Sequence, residues 1–160
     1  MVADDWERVR LIYLEGVATG EATFETSAPS WQKWDSSHLL FARLVSISAG
    51  DGNVNGWAAL TPVSDRKVYS GVAEVSVYVA DDSRGKGIGR ELLKQLIAES
   101  EQNGIWTLQA SVFPENRASI ALHHSCGFRT VGIRERIGQL DGVWRNTVLM
   151  ERRTQQTGQE

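Results

Sequence analysis

The order of helix-like and strand-like segments predicts an α+β domain with a mixed, mostly antiparallel sheet. The predicted order is helix, helix, three strands, helix, strand, helix and two strands, which fits an α+β or mixed α/β sheet better than a doubly wound one. Asp-Gly pairs at residues 51–52 and 141–142 indicate tight hairpin turns. Because 160 residues suffice to bury one core, we expect a single domain over residues 1–151 and a polar, frayed tail over residues 152–160.

Two helices are predicted ahead of the first strand. Over residues 4–17, apolar side chains recur at three- and four-residue spacings, which places them on one helical face. Over residues 27–37, serines suited to capping precede Trp31 and Trp34, which lie three residues apart. Both indoles are therefore expected on the same side of a short helix.

The remaining elements follow from alternation and from helical period. Strands are predicted at residues 39–47, 54–60, 72–79, 106–112, 128–137 and 143–150. Helices are predicted at residues 88–101, and from Pro114 to the Cys126-Gly127 pair. The strongest strand pattern lies at residues 72–79, where valines alternate with other side chains so that Glu74, Ser76 and Tyr78 share one face.

Composition narrows the class of protein. The chain has 17 basic and 20 acidic residues and no basic block, so we expect no nucleic-acid partner. One cysteine, Cys126, forms no internal disulfide, and with three histidines it cannot complete a Cys/His zinc cage, so no metal is expected. No apolar run approaches the roughly 20 residues that span a bilayer. These observations predict a soluble, cytoplasmic protein without a membrane partner.

A glycine-rich loop follows the strand at residues 72–79. Gly85, Gly87 and Gly89 let the main chain come close to a ligand, and a helix begins directly after them. Backbone N–H groups at such a strand-to-helix turn face anions, pyrophosphate above all, and Arg84, Lys86 and Arg90 add positive charge. The alternative is a tight turn with solvated basic residues, since glycine clusters alone are weak evidence.

Two other phosphate-binding loops do not fit this sequence. A Walker A loop requires Gly, four residues, then Gly-Lys-Ser/Thr, whereas Gly85-Lys86 is followed by Gly87 and preceded five residues earlier by Ala80. A dinucleotide fingerprint requires Gly-x-Gly-x-x-Gly after the first strand of a parallel unit, whereas these glycines alternate and follow antiparallel strands. Neither ATP nor a dinucleotide is the expected ligand.

The loop and its neighbourhood resemble the GNAT acetyltransferases. Arg84-x-x-Gly87-x-Gly89 resembles their coenzyme A loop, and Asn116, His123, Gly127 and Phe128 resemble the segment that follows it. Within that superfamily the chain resembles the phosphinothricin and methionine sulfoximine N-acetyltransferases, through residues 22–26, 56–60, 72–79 and 113–116. The resemblance implies a GNAT-like sheet that splays at the acetyl-CoA site and is flanked by about four helices. Such enzymes open with a short strand, so a first strand here is expected to be very short or missing.

The resemblance also implies site residues. Glu74 matches the proposed general base and His123 the position of the general acid, although a wet-face glutamate and a packing histidine are the plain alternatives. Acetyl-CoA is the implied co-substrate, held by Val77, Tyr78, Val79, Arg84, Gly85, Lys86, Gly87, Ile88, Gly89, Arg90 and Asn116. The implied amine-substrate pocket contains Phe24, Arg66, Tyr69, Glu74 and Ser76, although Arg66 beside Lys67 also fits a solvated pair. Relatives are commonly dimeric, so a homodimer is expected.

The leading prediction is therefore acetylation of the amine of a small amino-acid analogue by direct attack on the thioester. Three alternatives remain open from the sequence. The same chemistry could act on a peptide terminus or a polyamine, the chain could be a non-catalytic coenzyme A-binding module, or the loop could bind a nucleotide.

Overall fold

The protein folds around one mixed sheet, and the computed structural model describes residues 1–155. The strands are β1 (Leu44–Ile47), β2 (Val54–Pro62), β3 (Val72–Val79), β4 (Thr107–Val112), β5 (Arg129–Leu140) and β6 (Val143–Arg153). The helices are α1 (Trp6–Ala18), α2 (Trp31–Ser37), α3 (Ile88–Gln102) and α4 (Arg117–Ser125). The sheet order is β1-β2-β3-β4-β6-β5, and among the described strands only β3 and β4 pair in parallel. This arrangement confirms the predicted α+β class.

The parallel pair opens soon after it forms. Its register joins only Val72–Glu74 of β3 to Thr107–Gln109 of β4. The later part of β3, through Val79, pairs with β2 on one side and with no residue of β4 on the other. The sheet therefore splays between β3 and β4, as the resemblance predicted, and main-chain groups along that edge of β3 face a cleft.

Each face of the sheet packs against a different set of helices. On one face, the amphipathic α3 buries Leu93 and Leu96 completely against Leu60, Leu108 and other strand residues, and α4 adds partly buried side chains. On the opposite face, α1 and α2 form a smaller core around Val9, Trp34 and Trp57. Glu74, Ser76 and Tyr78 lie on the second face, because Ala73, Val75 and Val77 alternate with them and belong to the α3 core.

Two predicted boundaries need correction. The strand predicted at residues 39–47 begins only at Leu44. The Arg43 side chain turns back and donates hydrogen bonds to the carbonyl oxygens of Asp35, His38 and Leu39. These contacts leave the segment before Leu44 irregular. The expectation of a very short or missing first strand needs no correction, because residues 3–5 form a 3-10 helix and no strand precedes α1 within the described residues.

The predicted tail over residues 152–160 also begins too early. β6 continues to Arg153, and Arg152 forms an ion pair with Glu101 at 2.6 Å. Thr154 is buried, and its N–H donates to the Trp106 carbonyl oxygen at 2.9 Å. The packed domain therefore extends past residue 151, while residues 156–160 lie outside the described part of the chain.

Candidate functional site

The splay between β3 and β4 forms a cleft of about 680 Å³. Its walls come from β3, from β4, from the glycine loop with the start of α3, from α4, and from the segment that links α1 to α2. Thus the exposed edge of β3, the proposed anion loop and Glu74 all belong to one continuous cavity.

The glycine loop has the backbone geometry that an anion cradle requires. Gly85 and Gly87 have φ angles of 74° and 84°, in the left-handed region that favours glycine, and a Cβ at either position would meet nothing within 4 Å. Gly87 is the N-cap of α3, and its carbonyl oxygen accepts hydrogen bonds from the N–H groups of Arg90 and Glu91. The positive end of the helix dipole therefore faces the open side of the loop, an arrangement that favours anions.

The cleft contains ten of the eleven residues predicted to hold acetyl-CoA. They are Val77, Tyr78, Val79, Arg84, Gly85, Gly87, Ile88, Gly89, Arg90 and Asn116. Lys86 does not line the cleft, because its ammonium donates to the Asp82 carbonyl oxygen at 2.9 Å. The Arg84 guanidinium pairs with Asp81 at 2.7 Å, so part of its charge is already compensated.

Asn116 has a structural role in addition to its place in the cleft wall. Its side-chain oxygen accepts a hydrogen bond from the Ser119 N–H at 3.1 Å and so caps α4. Its amide nitrogen donates to the Glu21 carbonyl oxygen at 3.2 Å. The side chain therefore ties α4 to the segment after α1 and fixes the width of the cleft at that point.

Glu74 is half-buried in the cleft wall at the place where β3 and β4 separate. Its Oε2 accepts a hydrogen bond from Gln109 Nε2 at 2.9 Å, across the last register pair of the parallel strands. Among the residues that the structure describes, no donor is hydrogen-bonded to the other carboxylate oxygen, which is available to a ligand. Ser76 lies two residues along the same face and also lines the cleft. This geometry orients a carboxylate towards the cavity.

His123 lies deep in the same cleft and is 4% exposed. Its Nδ1 lies 2.7 Å from the Ser119 carbonyl oxygen, which can only accept, so Nδ1 carries the proton. Nε2 is buried without a hydrogen-bond partner among the described residues. Burial lowers the pKa of His123 below the ordinary 6.5. The neutral ring therefore presents a hydrogen-bond acceptor, and it becomes a proton donor at Nε2 only after taking up a second proton.

The predicted substrate residues separate into two groups. Phe24 lines the cleft together with Glu74 and Ser76, and its ring meets Phe113 edge-on at 4.8 Å. Arg66 and Tyr69 lie elsewhere, on an exposed turn where the guanidinium stacks over the phenol ring at 5.3 Å. Neither of these two residues lines the cleft of the single chain.

A second cavity of about 350 Å³ adjoins the cleft beneath α1 and α2. The two cavities share Thr23, Ser76 and Tyr78 in their walls. Trp34 and Trp57 also line the second cavity, and the indole N–H of each is buried with no partner among the described residues. Space for the body of a small substrate therefore continues from Glu74 towards an aromatic wall.

Sequence reasoning missed the polar residues that later strands bring to the cleft. Ser111 and Thr147 line it, and the Thr147 hydroxyl is buried with no partner among the described residues. Gln109 orients Glu74. Only alternation along each strand could have pointed to these residues, and alternation does not say which strands are neighbours. No three His, Cys, Asp or Glu side chains within residues 1–155 are placed to share a metal ion.

The fold and the cleft together define a class of enzyme. The mixed sheet splays beside a glycine loop at a helix N-terminus, and a carboxylate lies in the same cavity. This is the arrangement of an acyltransferase that uses a coenzyme A thioester. Residues 5–128 match the model of the "Acetyltransferase (GNAT) family". The chain belongs to this family and is an N-acetyltransferase by class.

Individual relatives agree with this assignment. The chain is 39% identical over 154 residues to a phosphinothricin N-acetyltransferase of Alcaligenes faecalis, covering 93% of this chain and 78% of the relative. It is 36% identical over 108 residues to an L-methionine sulfoximine/L-methionine sulfone acetyltransferase of Pseudomonas paraeruginosa, covering 68% of this chain and 63% of the relative. A GNAT superfamily phosphinothricin acetyltransferase of Sinorhizobium meliloti, solved in complex with acetyl-CoA, superposes with a TM-score of 0.86 at 30% identity, covering 98% of this chain and 87% of that one.

Proposed function

We propose that this protein transfers the acetyl group of acetyl-CoA to the amine of a small amino-acid analogue of the phosphinothricin or methionine sulfoximine kind. One observation carries the proposal: Glu74, oriented by Gln109, lines the same cleft as the Gly85–Gly89 cradle. The relatives named for phosphinothricin and methionine sulfoximine support the choice of substrate class.

The residues that would hold acetyl-CoA are those of the loop and of the open strand edge. The N–H groups at the start of α3 and in the glycine loop would bind the pyrophosphate. Main-chain groups of residues 77–79 that face away from β2, along the edge that does not pair with β4, would bind the rest of the molecule and donate to its acetyl oxygen. When bound, acetyl-CoA supplies an acetyl group activated as a thioester. No metal is needed for this transfer, because an amine attacks a thioester directly once it has lost its proton.

Glu74 would remove that proton. An amine with a reference pKa near 8 is mostly protonated at neutral pH, whereas only the neutral amine is a nucleophile. Because Gln109 occupies Oε2, the other oxygen of the Glu74 carboxylate is directed to the incoming ammonium, either in contact or through one water molecule. The amine and the acetyl donor are thereby held in one cavity, which makes the reaction effectively intramolecular.

His123 is the proposed general acid, and this role places a requirement on its protonation state. The Ser119 carbonyl oxygen holds the Nδ1 proton, so proton donation to the departing sulfur must come from Nε2. Since burial lowers the pKa of His123, this role requires the imidazolium to form during the reaction, for example with the proton released by the amine. Replacement by Asn would then lower turnover more than it raises the KM for either substrate.

The decisive experiment follows free thiol release from acetyl-CoA with L-methionine sulfoximine, phosphinothricin, spermidine and an alanine-terminated peptide. We expect turnover of the two amino-acid analogues, and a fall in kcat of about 100- to 10,000-fold in Glu74→Gln. Glu135→Gln, an exposed carboxylate outside the cleft, is the matched control and should retain wild-type turnover.

Three other results of this experiment would change the proposal. Preference for spermidine or the peptide would replace the substrate class and keep the reaction. Tight acetyl-CoA binding without turnover of any amine would replace catalysis by a coenzyme A-binding role. Undiminished turnover in Glu74→Gln would remove the base.

We also propose that the protein is a cytoplasmic homodimer. Strands β5 and β6 support a dimer, because they expose large apolar side chains, among them Ile133 at 61% and Trp144 at 59%. The free thiol of Cys126 fits a reducing compartment. No helix among the described residues is long and apolar enough to cross a membrane. Sedimentation of the wild type and of Ile133→Ser tests the dimer, since the variant should sediment as a monomer.

A further inference from the structure

The chain that leaves α1 is irregular where it forms part of the cleft wall. Residues 19–24, the linking segment, have no regular secondary structure, and all of them except Gly20 line the cleft. Three consecutive carbonyl oxygens of this segment accept hydrogen bonds from side chains of other parts of the fold. These bonds run from Arg145 Nη1 to Gly20 at 3.3 Å, from Asn116 Nδ2 to Glu21 at 3.2 Å, and from the Tyr78 hydroxyl to Ala22 at 3.5 Å. The linking segment is therefore held in place by tertiary contacts.

Arg145 on β6 also contacts the loop between β4 and α4, residues 113–116. Its Nη2 donates to Glu115 Oε2 at 3.2 Å, and its Cζ lies 4.4 Å from the centroid of the Phe113 ring. A guanidinium has five N–H donors in one plane, so a single side chain can bind both partners at once. Arg145 thus joins two segments that line the cleft and lie far apart in sequence.

The ring of Phe24 is packed between these contacts. Arg145 is the register partner of Gly138 on β5, and a Cβ on Gly138 would lie 2.9 Å from the Phe24 ring. The ring therefore takes the space that a side chain at position 138 would fill. On its other side it meets Phe113 edge-on at 4.8 Å. The position of Phe24 in the cleft wall thus depends on the segment that Arg145 holds and on the ring that Arg145 covers.

Arg145 is not itself among the residues that line the cleft, so it acts through its neighbours. Its side chain is 21% exposed, whereas that of Glu115 is 54% exposed. An ion pair with so exposed a partner is worth little, so the contribution of Arg145 comes mainly from the geometry of its several contacts. These are the bond to the Gly20 carbonyl oxygen and the cation–π contact with Phe113.

Of the two segments that Arg145 joins, the linking segment is the less constrained. Phe113 is 4% exposed, and Asn116 caps α4, so the loop at residues 113–116 is anchored independently. Gly20, by contrast, has a φ of 66° in an irregular stretch, and a Cβ there would meet nothing within 4 Å. Loss of Arg145 should therefore release the linking segment and leave residues 113–116 in place.

We infer that Arg145 is a positioning residue, which holds the linking segment against residues 113–116 and so keeps Phe24 in place at the amine end of the cleft. This inference rests on the proposed function, in which the pocket around Phe24 and Glu74 binds the amine. Glu74 is oriented by Gln109 and not by Arg145. Arg145 should therefore affect binding of the amine more than the chemical step.

Steady-state kinetics of Arg145→Met test the inference, with the preferred amine of the wild type. The KM for the amine should rise about 5- to 50-fold, whereas kcat and the KM for acetyl-CoA should change less than about threefold. Arg145→Lys should give an intermediate KM, because an ammonium keeps a cation near Phe113 without the fork that joins both segments, and it carries the test if Arg145→Met does not fold. Arg129→Met is the matched control, since Arg129 pairs with Glu151 in the same sheet and lies outside the cleft wall.

Several results would overturn the inference while acetyl transfer stands. A lower Tm of Arg145→Met with the wild-type KM for the amine would show that Arg145 only stabilises the fold. An equal rise of the KM values for both substrates would show that Arg145 does not act on the amine end. A rise of the same size in Arg129→Met, or wild-type kinetics in Arg145→Lys, would remove the specific link between the two segments.

Failure of the proposed function gives a different result. If the wild type acetylates no amine, the proposed substrate class fails, and hydrogen exchange followed by mass spectrometry still decides on Arg145. Faster exchange of residues 17–26 in Arg145→Met, with unchanged exchange of residues 54–60 in β2, supports the positioning of the linking segment. Unchanged exchange of residues 17–26 overturns it.

Discussion

Gly138 on β5 is a position where one methyl group should disturb both the fold and the substrate end of the cleft. A Cβ there would lie 2.9 Å from Cε1 and Cζ of Phe24, so the ring must move about 0.5 Å to regain an ordinary contact of 3.4 Å. The ring cannot move freely, because Phe113 packs edge-on against it at 4.8 Å and Arg145 lies 4.4 Å above Phe113. Overpacking of this kind costs about 1–3 kcal/mol, and the lower chain entropy of alanine in the unfolded state offsets about 0.5–1 kcal/mol.

We therefore expect Gly138→Ala to lower the free energy of unfolding by about 1–2 kcal/mol, which corresponds to a fall in Tm of about 2–8 °C for a chain of this size. The KM for the amine should rise, while the KM for acetyl-CoA should stay unchanged. Calorimetry and steady-state kinetics measure these effects. Gly132→Ala is the matched control, because Gly132 lies on the same strand and a Cβ there meets nothing within 4 Å.

Phe24→Leu should relieve the steric clash that Gly138→Ala introduces. A double-mutant cycle of Gly138→Ala with Phe24→Leu should show a favourable coupling on the order of 1 kcal/mol. Equal Tm values for Gly138→Ala and Gly132→Ala, or strictly additive effects in the cycle, would refute the packing argument.

Two further predictions concern the cradle and the buried histidines. Gly87→Ala should raise the KM for acetyl-CoA and destabilise the fold by about 1–2 kcal/mol, because the φ of 84° at Gly87 is unfavourable for a residue with a Cβ. Gly52 has a φ of 71° in the β1–β2 turn and serves as the control. Gly52→Ala should lower stability without changing the KM for acetyl-CoA. Burial lowers the pKa values of His38 and His123 below 6.5, so the unfolded chain binds protons at these sites more readily than the folded one. Stability should therefore be insensitive to these groups above pH 6.5 and fall as the pH drops below it, by at most about 1.4 kcal/mol per pH unit for each histidine.

Each of these has a measurement that can contradict it. An unchanged KM for acetyl-CoA in Gly87→Ala, or an equal rise in Gly52→Ala, would separate the loop from acetyl-CoA binding. Chemical unfolding of wild type and of the double variant His38→Gln, His123→Gln from pH 7.5 to 5 tests the histidines. Identical slopes for the two proteins would show that the histidines contribute nothing to the acid sensitivity.

Much of the fold was predictable, because the elements rest on local periodicity. The alternation at residues 72–79 predicted β3 with the observed bounds, and α3 begins at Ile88, as predicted. The strand prediction at residues 39–47 was wrong over residues 39–43. The hydrogen bonds of Arg43 to the end of α2 keep this segment irregular, and they are tertiary contacts that local periodicity does not show. The end of β6 was missed for a similar reason, because the ion pair of Arg152 with Glu101 spans 51 positions of the chain.

The site was predictable only where its residues are contiguous in sequence. The glycine loop and the polar face of β3 each lie within one short segment, so the sequence indicated them directly. Ser111 and Thr147 were missed, because their place in the cleft wall depends on the pairing of β4 with β6 and on the opening between β3 and β4. The resemblance implied Arg66 as a substrate residue; in the single chain it precedes an exposed 3-10 turn at residues 67–69, and its role stays a prediction. Spacing along an irregular segment does not determine direction, whereas alternation along a strand does.

The hydrophobic core and the glycine loop at residues 85–89 both depend on α3. Leu92, Leu93 and Leu96 anchor α3 to the sheet with exposures of 5% or less, and Gly87 caps that helix one residue before it begins. The direction of the helix dipole at the loop is therefore set by packing some two turns away, since an α-helix transmits its orientation along a rigid axis. Across the cleft, Glu74 is fixed by the last parallel pair of the sheet. The distance between anion site and carboxylate is thus determined by the packing of α3 on β2 and β3, so a cavity at Leu96 should weaken catalysis without touching either substrate.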